Sequence, residues 1–210
     1  MVDLRNITDA LIACDADRVM QLVQQALDSG MMANEVLNDG LMAGMDVVGD
    51  KMESGDMFIP EVLMAAQAMS GALDVLKPLL GEDQSTTSGR VLIGTVKGDL
   101  HDIGKNLVSM MLESTGMEVH NIGVDIAPEA FVSAIQEKDV DIVCLSALLT
   151  TTMPMMKETI DAIVESGLRD KVKIMVGGAP VTQAFADEIG ADGFAPDAGS
   201  AAKMAKALAA

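Results

Sequence analysis

Arg90-Val91-Leu92-Ile93-Gly94-Thr95-Val96-Lys97-Gly98-Asp99-Leu100-His101-Asp102-Ile103-Gly104-Lys105-Asn106 decides the fold. Residues 91–96 form a short apolar run of the kind that makes a strand buried on both faces. A polar loop with two glycines follows, and from about 104 the apolar residues take up helical spacing through 115. The same strand–loop–helix unit then recurs: further strands are predicted over 118–122, 142–146, 173–176 and 193–195, with helices over about 128–137, 154–166, 181–189 and 198–209. Strands alternating with helices predict an α/β fold with a doubly wound, five-stranded parallel sheet. In such sheets ligands bind beyond the carboxyl ends of the strands where strand order reverses, often between the first and third. The loop 97–106 is therefore the first place to look for a site.

Upstream of this unit the chain reads as helix. A first helix is expected near residues 3–13. Asp15 caps a second, whose apolar positions Val19, Leu22, Val23, Ala26 and Leu27 share one face and which Gly30 ends. A third runs from about Ala33 to Glu53, Ser54-Gly55-Asp56 breaks the pattern, and Pro60 in a first-turn position opens a fourth through Leu80. Four amphipathic helices with short connections predict a small N-terminal bundle. Gly81-Glu82-Asp83-Gln84-Ser85-Thr86-Thr87-Ser88-Gly89 is polar and small throughout, which marks it as a linker. The expected domains are thus 1–80, helical, and 90–210, α/β, joined by 81–89.

Composition narrows the ligand classes. The 210 residues carry 14 Lys and Arg against 32 Asp and Glu, a formal charge of −18, which argues against a nucleic acid held through its phosphates. Only 2% of residues are aromatic, with four Phe and no Trp or Tyr, which disfavours a stacking platform for single-stranded nucleic acid or sugars. The core has to be aliphatic, filled in part by the 18 Met. No run of eighteen uninterrupted apolar residues and no charged-then-apolar leader is seen, so a cytoplasmic protein without a membrane partner is expected. Cys14 and Cys144 lie far apart in apolar surroundings without CxxC spacing and read as buried structural thiols.

The loop 97–106 holds one of only two histidines. Asp99 and His101 are two apart, so the carboxylate can fold back onto one imidazole nitrogen and leave the other free as a metal ligand, with its tautomer fixed and its basicity raised. A merely satisfied polar contact is the competing reading. The string His101-Asp102 also spells the signature of metal-dependent phosphohydrolases, but these need several further histidines and only His120 remains. The Gly98 to Gly104 spacing fits neither the P-loop nor the dinucleotide fingerprint.

Asp99-x-His101-x-x-Gly104, followed after 41 residues by Ser146-x-Leu148 and after 28 more by Gly177-Gly178, resembles the three-part signature of base-off, histidine-on corrinoid (cobalamin) binding domains. Met52-Glu53-Ser54-Gly55-Asp56-Met57-Phe58-Ile59-Pro60-Glu61-Val62 is similar to the cap region of corrinoid methyl-transfer modules, where a helical bundle covers the upper face of the ring. The resemblance spans roughly residues 1–205. It is strongest to the free-standing corrinoid proteins of methylamine- and methanol-type methyltransferase systems, then to the module of cobalamin-dependent methionine synthase.

The resemblance implies a flavodoxin-like, Rossmann-type cobalamin-binding domain under a four-helix cap. It implies that His101 is the lower axial ligand of cobalt, with Asp99 as its partner and Thr152 extending the relay where the methionine synthase module has serine. Ser146 would hydrogen-bond the buried nucleotide tail, Leu148 line its channel, and Gly177 and Gly178 form a wall without side chains. Gly98, Asp102, Ile103, Gly104 and Thr150 complete the expected cofactor contacts, with Phe58, Val62 and Met64 on the cap face. Segment 81–89 would be the hinge that lets the cap uncover the ring. The implied function is a methyl carrier that does not turn over alone, in methanogenesis or acetogenesis. Its expected partners are a substrate-specific methyltransferase, a second methyltransferase and a reductive activation protein. The cobalamin-binding subunit of a carbon-skeleton mutase and a cobalamin-based sensor are the alternatives. The first lacks such a cap, and the second needs an output domain.

Overall fold

The computed structural model describes residues 3–80 and 88–209. Residues 81–87, which hold most of the expected linker and hinge, lie outside the described residues. The chain forms two compact units, one helical and one α/β.

In the helical unit α1 (Arg5–Ile12) and α2 (Ala16–Asp28) are separated by Asp15, whose carboxylate accepts from the Arg18 amide at 3.0 Å and caps α2 as expected. The third helix is more complex than its sequence suggests. It starts as α3 (Ala33–Glu35), widens into a π-helical stretch (Val36–Met42) and returns to α-helix as α4 (Ala43–Ser54). Gly40 and Gly44 in this stretch let α1 approach: a Cβ at Gly44 would sit 2.8 Å from a Leu11 methyl, and one at Gly40 would meet Ile7. The Thr8 hydroxyl donates to the Gly40 carbonyl at 2.8 Å, satisfying backbone that the widened helix alters. α5 (Ile59–Leu76) opens where predicted, with the Glu61 carboxylate accepting from the Phe58 amide at 2.9 Å. The stretch Ile59–Leu79 is long and apolar enough to cross a membrane by length and composition. A core helix has the same composition, and Val62, Ala65, Ala66, Met69, Ala72 and Leu76 form a buried stripe at helical spacing. α5 packs on α2 and α4.

The α/β unit is a five-stranded parallel sheet in the order β2-β1-β3-β4-β5, with strands β1 (Arg90–Thr95), β2 (Glu118–Asn121), β3 (Ile142–Ser146), β4 (Lys173–Gly177) and β5 (Gly193–Ala195). The helices α6 (Ile103–Ser114), α7 (Pro128–Lys138), α8 (Pro154–Glu165), α9 (Gln183–Ile189) and α10 (Ala198–Ala209) alternate with them. One face of the sheet buries Leu92, Val143, Leu145 and Ile174 against Phe131 of α7 and Ile160 and Ile163 of α8; the other buries Val91, Ile93 and Cys144 against Leu112 of α6 and Ala205 of α10. Strand order reverses between β1 and β3, whose carboxyl ends lie side by side: Thr95 pairs with Ser146, and the Val96 amide donates to the Ser146 carbonyl at 3.0 Å. Cys144 is buried as expected. Cys14 is only half-buried, with a left-handed backbone and its thiol donating to the Glu61 carbonyl at 3.2 Å, so it is not the enclosed core thiol its apolar neighbours suggested.

Candidate functional site

Beyond β1 the chain makes a tight turn in which the Asp99 amide donates back to the Val96 carbonyl at 3.2 Å. Gly98, the third residue of that turn, has φ +81°, the left-handed value that a type II turn needs there. The turn sends the Asp99 side chain inward, where it is completely buried. Its Oδ1 accepts from the His101 amide at 3.1 Å and faces His101 Nδ1 at 2.7 Å. Its Oδ2 accepts from the Leu148 amide at 2.8 Å, the Leu149 amide at 3.2 Å and the Thr152 hydroxyl at 2.7 Å. Burial pushes the carboxyl pKa up, but the donors from Thr152, His101 and the Leu148 backbone outweigh it and hold the group well below the usual carboxylate range. An ionised Asp99 fixes the proton of a neutral His101 on Nδ1 and leaves the Nε2 lone pair free on a ring that is 50% exposed.

The surroundings suit a large apolar ligand approached by one imidazole nitrogen. Leu100 precedes His101 in its loop, Ile103 opens α6 just after it, and Leu148 and Leu149 are tied by their amides to Asp99; all four aliphatic side chains are exposed. A Cβ at Gly104, in the first turn of α6, would meet nothing within 4 Å, so protein packing does not demand glycine there and the space beside it is open. Among the described residues no three His, Cys, Asp or Glu side chains come together to hold a bare metal ion.

The remaining expected residues fall around this centre with different roles. Ser146 ends β3, half-buried and without a side-chain hydrogen bond among the described residues. Thr150 is exposed in the loop after β3. The Asp102 carboxylate accepts from Asn106 at 3.2 Å, bracing the start of α6. Gly177 ends β4, and a Cβ there would crowd the Ala195 carbonyl at 3.2 Å. At Gly178, with φ +130°, a Cβ would run into the Ala147 carbonyl, so close approach of the protein's own backbone already requires that glycine. In the helical unit Phe58 and Met64 are exposed, whereas Val62 is fully buried in the core stripe of α5. Val62 is therefore a packing residue and not part of an exposed cap face: it is four residues after Phe58, but the stripe that α5 buries runs through it.

Several residues at the site have no signal in the sequence. The Lys105 ammonium is buried and donates to the side-chain oxygens of Asn106 at 2.6 Å and Asn121 at 2.8 Å, and burial pushes its pKa down. Thr95 and Asp125 hold the histidine loop itself. The Thr95 hydroxyl donates to the His101 carbonyl at 2.9 Å, and the Asp125 carboxylate accepts from the Gly98 amide at 2.7 Å.

Two family models match the chain, both described as a B12 binding domain, over residues 89–203 and 4–77. The chain is 46% identical to the dimethylamine corrinoid protein of Methanosarcina barkeri, over 98% of this chain and 96% of that one. The chain belongs to the methyltransferase corrinoid proteins. Among solved structures, this corrinoid protein superposes on a cobalamin-binding protein from Desulfitobacterium hafniense DCB-2 with a TM-score of 0.87 and 32% identity, covering 99% of both chains. It also superposes on a chain of the methanol:cobalamin methyltransferase complex MtaBC from Methanosarcina barkeri, with a TM-score of 0.84 and 32% identity over 98% of this chain and 79% of that one. The family binds cobalamin, and the helical unit with its parallel α/β partner is the family's architecture.

Proposed function

We infer that this corrinoid protein carries a methyl group on cobalamin, whose cobalt His101 would hold through Nε2. One observation carries the ligand assignment: His101 is half-exposed, its Nδ1 is held at 2.7 Å by a buried carboxylate, and its Nε2 is left free. Bound cobalamin would supply the methyl-transfer chemistry between an activated donor and an acceptor. The chain's own residues supply position and proton control. Asp99 keeps the Nδ1 proton in place and makes the imidazole a stronger donor, so that ligation can be gained and lost without a change of tautomer. Thr152 and the Leu148 and Leu149 amides keep Asp99 ionised. The free hydroxyl of Ser146 and the open space at Gly104 are where the nucleotide tail and the ring edge would lie. Phe58 and Met64 remain the candidates for the cap face.

A methyltransferase is the partner that the likeness to the MtaBC complex supports. A second methyltransferase that accepts the methyl group, and a reductive activation protein, complete the proposed cycle, because a carrier must be unloaded and a cobalt oxidised by accident must be restored. The relatives named for dimethylamine make a methylated amine the first donor to test. The dimethylamine corrinoid relatives and the likeness to the MtaBC complex favour the carrier reading over the mutase-subunit and sensor readings.

His101→Ala tests the assignment. The variant should keep the fold and bind methylcobalamin, with the visible spectrum shifted to that of the base-off form. A spectrum identical to that of the unaltered protein would remove His101 as the ligand.

A further inference from the structure

We propose that the segment joining β2 to α7 is a splint for the histidine loop, and that Asp125, together with Thr95, is a positioning residue that sets where His101 Nε2 points. This rests on His101 being the cobalt ligand. Four hydrogen bonds join the two segments: the Thr95 amide donates to the Gly123 carbonyl at 3.0 Å, the Ile126 amide to the Thr95 carbonyl at 3.0 Å, the Asp125 amide to the Asp99 carbonyl at 3.0 Å, and the Gly98 amide to the Asp125 carboxylate at 2.7 Å. The last two grip both sides of the Gly98–Asp99 peptide, which is where the chain turns to send Asp99 inward.

Asp125 reaches this position through a left-handed backbone, φ +55°, which Asp and Asn tolerate better than other side chains. Thr95 completes the clamp from β1. It is fully buried, and its hydroxyl donates to the carbonyl of His101 itself. On the opposite side the loop after β3 holds the Asp99 carboxylate through Leu148, Leu149 and Thr152. The Asp99–His101 pair is thus gripped between two loops that a parallel sheet brings to one edge. The grip on the carboxylate fixes the tautomer, whereas the grip on the backbone fixes direction, and an axial ligand needs both.

Two pairs of variants separate positioning from packing. Asp125→Gly keeps the left-handed backbone and removes the acceptor, while Asp125→Asn keeps both. Thr95→Val removes the hydroxyl at constant volume, while Thr95→Ser restores it. In the cofactor-free protein, amide exchange at Gly98 should be about tenfold faster in Asp125→Gly, the size expected for losing one hydrogen bond to a charged acceptor. In protein loaded with cob(II)alamin, the nitrogen superhyperfine splitting of the electron paramagnetic resonance spectrum reports histidine coordination. Asp125→Gly and Thr95→Val should each lower the ratio of histidine-on to histidine-off forms by roughly fivefold, with Asp125→Asn and Thr95→Ser at the unaltered ratio. Unchanged ratios in Asp125→Gly and Thr95→Val, beside a His101→Ala control that is wholly histidine-off, would overturn the proposal and leave the ligand assignment standing. A His101→Ala control that keeps the splitting would instead sink the ligand assignment. Should Asp125→Gly fail to fold, the Thr95 pair decides by the same ratio.

Discussion

Asp99 accepts five hydrogen bonds while fully buried, so its charge is part of how the loop holds its shape. Asp99→Asn keeps the size of the side chain but turns an amide donor toward groups that are themselves donors. Stranding one of them should cost about 1–3 kcal/mol, measurable as a lower urea midpoint near neutral pH. The pH dependence has a definite sign. Because the folded-state pKa lies below the unfolded one, the stabilisation is fully present above the ordinary carboxylate value of about 3.9 and is lost as pH falls from there toward the folded value. Urea midpoints should therefore drop more steeply below about pH 4 in the unaltered protein than in Asp99→Asn. Equal slopes would show that the carboxylate is not held ionised. The Asp99–His101 contact was legible because two residues in one loop can meet without help from the rest of the chain. Thr95 and Asp125 were not: the turn that brings the His101 carbonyl back to the Thr95 hydroxyl has no mark in the sequence, and Asp125 meets Gly98 across 27 residues, a register that only the assembled sheet defines. Val62 was misplaced for a related reason: proximity to Phe58 in sequence says nothing of which stripe of α5 is buried.

At the scale of the element, the first turn of α6 carries a glycine, Gly104, that its surroundings leave open. Alanine is the better helix former by roughly 0.5–1 kcal/mol, so Gly104→Ala should raise the thermal midpoint. The same methyl group would occupy the space proposed for the ring edge, so cobalamin affinity should fall, by calorimetric titration, while stability rises. A variant that gains stability with unchanged affinity would remove Gly104 from the cofactor contacts. The strands were readable from sequence to within a residue or two because β1, β3 and β4 are buried on both faces and so appear as unbroken apolar runs. The π-helical stretch of Val36–Met42 was not readable: the contacts made there, α1 against Gly40 and the Thr8 hydroxyl on the Gly40 carbonyl, join residues 32 apart.

For the whole molecule, the formal charge of −18 bears on how a carrier meets its partners. A chain this acidic favours partners with basic docking faces and speeds their encounter, an effect that salt screens. Association with a cognate methyltransferase should slow as ionic strength rises from about 0.05 to 0.5 M, chiefly through the on-rate, as followed by surface plasmon resonance. Rates independent of salt would leave the charge without a part in docking. The absence of Trp and Tyr fits a site whose exposed contacts are the aliphatic side chains Leu100, Ile103, Leu148 and Leu149 and the open glycine at Gly104.

The two outer strands of the sheet, β2 and β5, are four and three residues long. An outer strand is where a second copy could add itself through unpaired amides and carbonyls, and length governs how firmly such an addition would hold. These strands give a newcomer too few rungs to climb on. Outer strands this short disfavour edge-to-edge pairing between copies of the sheet.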